Sequence, residues 1–264
     1  MFKLVIDKLN VISSVCEKSL FLFFLVLGSC NSEKASDCFQ NAGELTRVEV
    51  ATANFEKITV FENLNLVLKQ GEEQKVAIES GEFLLNDISV TVEDNRLIVR
   101  NENGCNLFRD YGLSTVYVTS PNINEIRSST GLNIASEGTL VYPSLRIISE
   151  SFNQPEADTT SGSFDLNLDC DTVVVLVNGI SFLQLSGQTQ NFNINAAAGA
   201  SRIEAGELRA EMVRINHRGS NDIIVNPQQS ISGIIRGYGD VVSLNRPQEI
   251  EVEETFEGRL IFRN

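Results

Sequence analysis

The dominant pattern along the chain, from Arg47 onward, is a short-range alternation of apolar and polar residues. Leu64, Leu66 and Leu68, for example, are separated by Asn65 and Val67. A period of two residues is typical of β-strands that bury one face. Glycine, asparagine, aspartate and proline stand between these runs, as expected for turns. The pattern therefore predicts an all-β fold built from many short strands.

One segment has a composition that also suits a helix. Residues 207–214 (Glu-Leu-Arg-Ala-Glu-Met-Val-Arg) contain several strong helix formers. However, Leu208, Ala210 and Met212 alternate, and Gly206 precedes them. We expect a strand here, with a helical turn as the alternative.

A repeated unit begins after Ser128. It consists of a glycine, two or three small or polar residues, and an apolar residue that opens a strand. The glycines that begin the units are Gly131, Gly162, Gly179, Gly199, Gly219 and Gly237. From Gly162 onward they are 17 to 20 residues apart. The longer first step contains a polar segment, residues 151–160, that we expect to form a loop.

The spacing of this repeat favours one architecture. A unit of about 20 residues with two or three short strands matches one coil of a β-solenoid, in which each strand pairs with its equivalent in the next coil. A glycine at a fixed place would supply a positive φ angle at each corner. A β-sandwich also contains many short strands, but it does not account for the repeat. We therefore expect a solenoid rather than a sandwich.

The first 29 residues have the features of a targeting segment. Three lysines precede an apolar run of about nine residues, 19–27. This run is too short to span a bilayer, which takes about 20 apolar residues. The sequence Leu27-Gly28-Ser29-Cys30 follows and resembles the lipobox of bacterial lipoproteins. We expect cleavage before Cys30 and a lipid on Cys30, with an ordinary secretory signal or a buried N-terminal helix as the alternatives.

The remaining cysteines are odd in number. Cys16 would leave with the signal and Cys30 would carry lipid, so that Cys38, Cys105 and Cys170 remain. Alternation places Cys170 on the same face as Leu166 and Leu168, which favours a buried thiol. Because Cys38 and Cys105 lie in irregular polar stretches of an exported chain, we expect a Cys38–Cys105 disulfide. The alternative is that all three are reduced.

Charge and composition exclude several classes of function. The chain carries 21 Lys+Arg against 35 Asp+Glu, a net charge of −14, which argues against a nucleic-acid partner. A single histidine leaves no two-histidine zinc motif. We therefore expect no metal site, no cofactor and no nucleic acid.

A series of short motifs carries a family resemblance. They include Asp-Cys-Phe-Gln-Asn-Ala-Gly at 37–43, Phe-Glu-Lys-Ile-Thr-Val at 55–60, Asn-Glu-Asn-Gly-Cys-Asn at 101–106 and Gly-Tyr-Gly-Asp-Val-Val at 237–242. In their order along residues 37–247 they resemble the head GIN-domain family of Bacteroidetes. This is a domain of unknown function for which a role as an auto-transporter adhesin has been proposed. Gly131-Leu-Asn-Ile departs from the Gly-Ile-Asn motif of the family.

The resemblance implies both a fold and a role. The fold would be a right-handed, single-stranded parallel β-helix with a β-rich N-terminal part. The role would be non-enzymatic adhesion in the envelope of a Gram-negative bacterium, with outer-membrane anchoring through lipid only. The partners would be a second copy of the chain, a glycan or an envelope protein.

The alternative class of function is a carbohydrate-active β-helix enzyme acting on polysaccharide. Its acids would be among Asp165, Asp169, Asp171, Asp222 and Asp240. Asp165, Asp222 and Asp240 precede the first apolar residue of a repeat, where a structural corner aspartate is expected, so we assign no catalytic residue. A stacked aspartate ladder that binds Ca²⁺ is a further alternative. His217 is expected at a solvated corner, and residues 249–257 are expected to form an edge strand with outward glutamates.

These inferences divide the chain into three parts. Residues 1–29 form the lipoprotein signal peptide, 30–45 a polar tether, and 46–264 the β-helix domain. Within that domain we expect an N-terminal β region at 46–127, repeat coils at 128–247 and C-terminal strands at 248–264.

Overall fold

The computed structural model describes residues 40–104, 112–154, 156–157 and 159–263. Within these ranges the regular structure is β, apart from a short 3-10 turn at Leu85–Asp87. The all-β prediction is therefore confirmed. The predicted signal peptide, and with it Cys30, Cys38 and Cys105, lies outside the described residues. In the part of the chain that is described, no helix is long and apolar enough to cross a membrane.

Seventeen strands are found in the described residues, and all are hydrogen-bonded into one continuous sheet. They are β1 (Leu45–Val50), β2 (Lys57–Glu62), β3 (Asn65–Gln70), β4 (Lys75–Gly81), β5 (Ile88–Glu93), β6 (Arg96–Asn101), β7 (Thr115–Ser120), β8 (Glu125–Thr130), β9 (Asn133–Leu140), β10 (Ser144–Ser149), β11 (Ser163–Val177), β12 (Phe182–Ala196), β13 (Arg202–His217), β14 (Ile223–Ile235), β15 (Val241–Ser243), β16 (Glu249–Glu254) and β17 (Leu260–Phe262).

The N-terminal strands mix antiparallel and parallel pairing. β4 pairs antiparallel with both β1 and β7, and β5 pairs antiparallel with β6. β2 lies parallel to β6 and β8, while β3 lies parallel to β7 and β9. This region therefore combines antiparallel pairs, of which β5–β6 is a hairpin, with the start of a parallel stack.

The C-terminal strands follow the predicted repeat. β11, β12, β13 and β14 each lie parallel to the next strand, so that Val173, Phe192, Val213 and Ile231 stand side by side. The 207–214 segment is part of β13, which confirms the strand and excludes the helical turn.

These long strands take part in two ladders. Their first halves continue from β3 and β9 towards β15 and β17, and we call this the first ladder. Their second halves continue from β2, β8 and β10 towards β16, and we call this the second ladder.

Inward side chains of the second ladder form an apolar column. Because the pairing is in register, each inward residue stacks on its equivalent in the next strand. The column consists of Leu97, Ile58, Ile126, Ile147, Val175, Ile194 and Ile215, all at most 3% exposed. Burial of this column supplies the hydrophobic driving force that holds the strands of the ladder in register. We call each successive repeat, one strand step of both ladders, a coil.

The corner glycines stack as well. Ala200 N donates to Gly179 O, Ser220 N to Gly199 O, and Tyr238 N to Gly219 O. A Cβ on Gly199 or Gly237 would overlap the carbonyl oxygen of the glycine beneath it. Of the six predicted corner glycines, Gly199 has a positive φ (79°) and the other five do not. Close approach between neighbouring coils, rather than backbone conformation, therefore explains most of these glycines.

The last residues of the predicted tether, 40–45, are part of the packed domain. Gln40 is buried, and its Nε2 donates to Phe83 O at 2.9 Å. Leu45 is already paired with Gly81 in the antiparallel β1–β4 pair. Residues 40–45 therefore pack against β4 and the turn that follows it.

The C-terminal border is an acidic edge. β16 pairs with β14 on one side, and among the described residues no strand covers its other side. Glu249, Glu251 and Glu253 are exposed along it. The predicted edge strand with outward glutamates is therefore present.

Candidate binding face on the second ladder

The outward side chains of the second ladder, between β10 and β14, form a surface without acidic residues. Arg146 leads one column of this surface, followed by Val174, Asn193, Arg214 and Ser232 on successive strands. The neighbouring column, two residues further along each strand, begins at Ile148, which is buried, and contributes Leu176, Asn195, Asn216 and Ile234 to the surface. We call this surface, extended by Arg218 and Arg236 as described below, the arginine face.

The arginine face is concave. It contains a depression of about 440 Å³. Side chains of Val174, Leu176 and Ile234 provide its apolar part, and Arg146 and Arg214 stand at its border. The other lining residues are Val175, Asn193, Ile194, Asn195, Ile215, Asn216 and Gly233.

Arg218 and Arg236 extend this surface past the ends of β13 and β14. Arg218 N donates to Ala196 O and Arg236 N donates to His217 O, so the ladder continues by one hydrogen bond on each strand. Each arginine directly follows a buried residue and is itself exposed. Register places the two side by side, on neighbouring strands about 4.8 Å apart.

These four arginines carry uncompensated charge. Arg146, Arg214, Arg218 and Arg236 are all exposed, and none of them has a described carboxylate within 4.0 Å. By contrast, the arginines that do form ion pairs are Arg96, Arg100, Arg127, Arg202 and Arg259. The arginine face is therefore a local positive surface on a chain whose net charge is −14.

Amide side chains fill the space between the arginines. Asn191, Asn193 and Asn195 alternate along β12 and therefore share one face. Asn216 Nδ2 donates to Asn195 Oδ1 at 3.0 Å, while Asn216 Oδ1 is buried without a hydrogen-bond partner in the protein. Amides can both donate and accept hydrogen bonds. The arrangement can bind an anionic, hydrogen-bonding partner.

Of the three aspartates predicted to share one repeat position, the structure places two together and the third elsewhere. Asp222 and Asp240 precede the stacked residues Ile223 and Val241, as predicted. Asp222 Oδ1 accepts from Asp240 N at 3.0 Å, and Asp240 Oδ1 accepts from Arg259 N at 2.8 Å. Each carboxylate thus satisfies a backbone N–H of the next coil, as a structural corner aspartate does.

Asp165 does not share that position. It follows Phe164, which is in register with Leu183, Ile203, Ile223 and Val241, so Asp165 lies two residues beyond the position of Asp222. The prediction of a shared position is wrong for Asp165, because Gly162 stacks with Ser181 and Ser201 rather than with the glycine column. Asp169 and Asp171 lie between the two halves of β11. Within the described ranges, no group of three or more His, Cys, Asp and Glu could hold a metal ion.

His217 is buried and not solvated, which corrects the sequence prediction. It is 0% exposed and lies in register with Ala196 and Ile235, on the inward side of β13. Gly219 N donates to its Nδ1 at 3.4 Å, and its Nε2 has no hydrogen-bond partner. Burial lowers the pKa of His217 below its usual value of 6.5, against the opposite effects of the Gly239 and Asn221 backbone and, less strongly, of Asp222 and Asp240. The side chain therefore acts as an uncharged part of the core.

Cys170 is buried, as alternation predicts. It is 3% exposed, and its Sγ lies 3.6 Å from Leu140 O. Burial raises the pKa of its thiol. This thiol is therefore a core group and not a nucleophile.

The arginine face is not among the sites predicted from the sequence. Arg146 and Arg214 are 68 residues apart, and the strand register alone brings them onto one surface. For Arg218 and Arg236 the sequence does contain a signal of proximity. Their separation of 18 residues falls within the spacing of the repeat, which predicts that they lie side by side.

Comparison with known proteins addresses both the family and the fold. Residues 54–247 match the model of the family described as "Putative auto-transporter adhesin, head GIN domain". Among curated proteins, none matches the chain.

Three solved structures resemble the fold. The crystal structure of a putative adhesin from Bacteroides fragilis has a TM-score of 0.73 at 23% identity, and the match covers 83% of this chain and 97% of that one. A putative adhesin from Parabacteroides merdae has a TM-score of 0.53 at 15% identity, covering 84% and 97%. A putative lipid binding protein from Parabacteroides distasonis has a TM-score of 0.56 at 13% identity, covering 83% and 97%.

The family match spans most of the chain and includes the strands that carry the arginine face. This chain belongs to the head GIN-domain family of putative auto-transporter adhesins.

Proposed function

We propose that this chain is an exported, lipid-anchored adhesion domain that binds its partner in the bacterial envelope through the arginine face. The observation that carries the proposal is the clustering of four unpaired arginines on one concave surface of an acidic chain. Uncompensated, exposed charge of one sign attracts a partner of the opposite sign and fixes its orientation. Membership of an adhesin family supports the same conclusion.

The proposal assigns no chemistry to this surface. No acidic residue lies on the outward positions that β10 to β14 contribute to the second ladder, so general acid–base catalysis of glycoside cleavage has no carboxylate pair on the arginine face. Asp222 and Asp240 hold backbone N–H groups of the next coil. Binding without turnover is the function that these groups support.

Anchoring and topology complete the proposal. Cys30 would be acylated after cleavage of residues 1–29 and would tether the domain to the outer membrane of a Gram-negative cell. The in-register parallel ladders support a β-helix, and we propose that it is right-handed, single-stranded and able to associate with a second copy. Export into an oxidising compartment would also allow the Cys38–Cys105 disulfide.

The test of adhesion is binding of the purified chain to isolated bacterial envelopes. The wild-type chain should be retained, and the Arg146→Gln/Arg214→Gln double variant should be retained several-fold less. The matched control is Arg209→Gln/Arg263→Gln, which removes two exposed arginines outside the arginine face, one in β13 and one directly after β17, and should bind like wild type. Equal retention of the chain and of an unrelated acidic protein would contradict the proposal.

Anchoring has its own test. The chain is produced in a Gram-negative host, and the peptide that contains Cys30 is analysed by mass spectrometry. An acylated N-terminal Cys30, lost together with membrane association in Cys30→Ser, is expected. A soluble chain that retains residues 1–29 would contradict it.

A further inference from the structure

We propose that the ligand of the arginine face is an acidic polysaccharide, a chain of sugars that bear carboxylate groups. The inference rests on the proposed function, since it names the partner class of the same surface. Three observations support it: the spacing of the arginines, the amide and apolar side chains between them, and the pairing of the backbone N–H and C=O groups.

The charges on the arginine face suit an extended polyanion. Arg146 and Arg214 are separated by three steps of the ladder, about 14 Å at the usual strand spacing. Arg214 and Arg218 are four residues apart on one strand, about 13 Å. A single small anion could reach one or two of these side chains. A chain with repeated carboxylates could reach all four, with two-pronged hydrogen bonds from each guanidinium.

The groups between the arginines suit sugar. Asn191, Asn193 and Asn195 offer amide donors and acceptors that match hydroxyl groups. Val174 and Leu176 add apolar contact for the C–H surfaces of a sugar ring.

The backbone of the face argues against an acidic peptide that would add as a strand. The second halves of β11, β12 and β13 are paired on both sides, so their N–H and C=O groups are used within the ladder. A strand can be added only at an open sheet edge. The open edge beside this face is β16, where Glu249, Glu251 and Glu253 repel an acidic chain. The glutamates also confine a polyanion to the region between β10 and β14.

The experiment measures binding of the full chain to four probes at low salt. The probes are polygalacturonate, uncharged dextran, poly-glutamate and vesicles of phosphatidylglycerol. Polygalacturonate should bind most tightly, and its affinity should fall at least tenfold when the salt concentration rises from 50 to 300 mM, because screening weakens exposed charge contacts.

Variants connect that binding to the face. Arg146→Gln/Arg214→Gln and Arg218→Gln/Arg236→Gln should each weaken polygalacturonate binding at least tenfold. The control Arg209→Gln/Arg263→Gln should weaken it less than twofold. All substituted side chains are exposed, so each variant should keep the wild-type thermal unfolding midpoint, which is checked by circular dichroism.

The contradicting results are distinct. Binding of poly-glutamate or of the vesicles as tightly as polygalacturonate would assign a different partner class and overturn the inference. Equal binding of dextran would remove the role of charge. Retention on envelopes without polygalacturonate binding overturns this inference alone, whereas failure in both assays overturns the proposed function as well.

Discussion

Arg127 Nη1 lies 3.1 Å from Glu150 Oε1 and also donates to the Glu150 carbonyl oxygen. The two side chains are 8% and 2% exposed. Glu150 Oε2 in turn accepts from Asn153 N at 3.1 Å. This buried ion pair therefore connects β8 to the first residues of the polar segment between β10 and β11.

Breaking this pair should be costly. In Glu150→Ala, Arg127 remains buried without its counter-charge, which should lower the free energy of unfolding by about 3–5 kcal/mol. Urea denaturation measures the change. The control is Lys69→Ala, which breaks the exposed Lys69–Glu137 pair and should cost no more than about 1 kcal/mol. A cost for Glu150→Ala as small as that of the control would contradict the assignment.

The same carboxylate predicts sensitivity to acid. Burial alone would raise the pKa of Glu150, but hydrogen bonds from Asn153 N–H and Arg127 lower it below the usual 4.5. A group with a lowered folded-state pKa adds stability that is present above the unfolded value and lost as pH falls through the folded one. The wild type should therefore lose stability below pH 4.5 more steeply than Glu150→Gln. Parallel curves for the two proteins between pH 5 and 3 would refute the prediction.

His217 predicts a second, milder pH dependence. Its folded-state pKa is lowered by burial, so below about pH 6.5 the unfolded state binds a proton that the folded state does not. Stability should fall as pH decreases, by at most about 1.4 kcal/mol per pH unit. Protonation would also put two N–H groups, those of Nδ1 and Gly219, against each other.

The chain has one histidine, so its imidazole signals in an NMR titration of protein without a histidine tag belong to His217. The titration midpoint should lie below 6.5. A midpoint at or above 6.5 would place the ring in solvent, contrary to its burial.

The glycine column predicts unequal effects of one substitution. A Cβ at position 237 would overlap the Gly219 carbonyl oxygen, whereas a Cβ at position 131 would meet nothing closer than 3.8 Å. Gly237→Ala should destabilise the protein by about 1–3 kcal/mol through overpacking. Gly131→Ala, the matched control, should change stability by less than about 0.5 kcal/mol. Similar effects of both in thermal unfolding would show that the coils do not approach as described.

Cys170 should resist modification in the folded protein. Its thiol is buried, and burial raises its pKa, so the reactive thiolate is scarce and inaccessible. Iodoacetamide treatment followed by peptide mapping should label Cys170 in urea and leave it unlabelled under native conditions. Met212→Cys, at a position that is 45% exposed, provides the accessible control. Labelling of both thiols at the same native rate would contradict the assignment.

Much of the fold could be predicted because local alternation and tertiary packing agree. Leu64, Leu66 and Leu68 alternate in the sequence and are all 0% exposed. His217 continues the alternation of Val213 and Ile215, so its burial could also have been predicted. The period, and not the usual surface preference of histidine, decides the position of this side chain.

The sequence is a poor guide to positions that are set by the pairing of strands far apart in the chain. Counting from each glycine placed Asp165 with Asp222, but Gly162 occupies a different position in the coil from Gly219. The arginine face depends wholly on register, since its four arginines belong to β10 and β13 or directly follow β13 and β14. No local pattern reports which strands become neighbours.

The stacked glycines have a consequence for how this surface could change. Because neighbouring coils touch backbone to backbone, their separation is fixed at one strand spacing, about 4.8 Å. The distance between Arg146 and Arg214 can then change only in whole steps of that length, by the gain or loss of a complete coil. The spacing of charges on this surface is therefore quantised: insertion or deletion of whole repeats can alter it, whereas elastic deformation of the domain cannot.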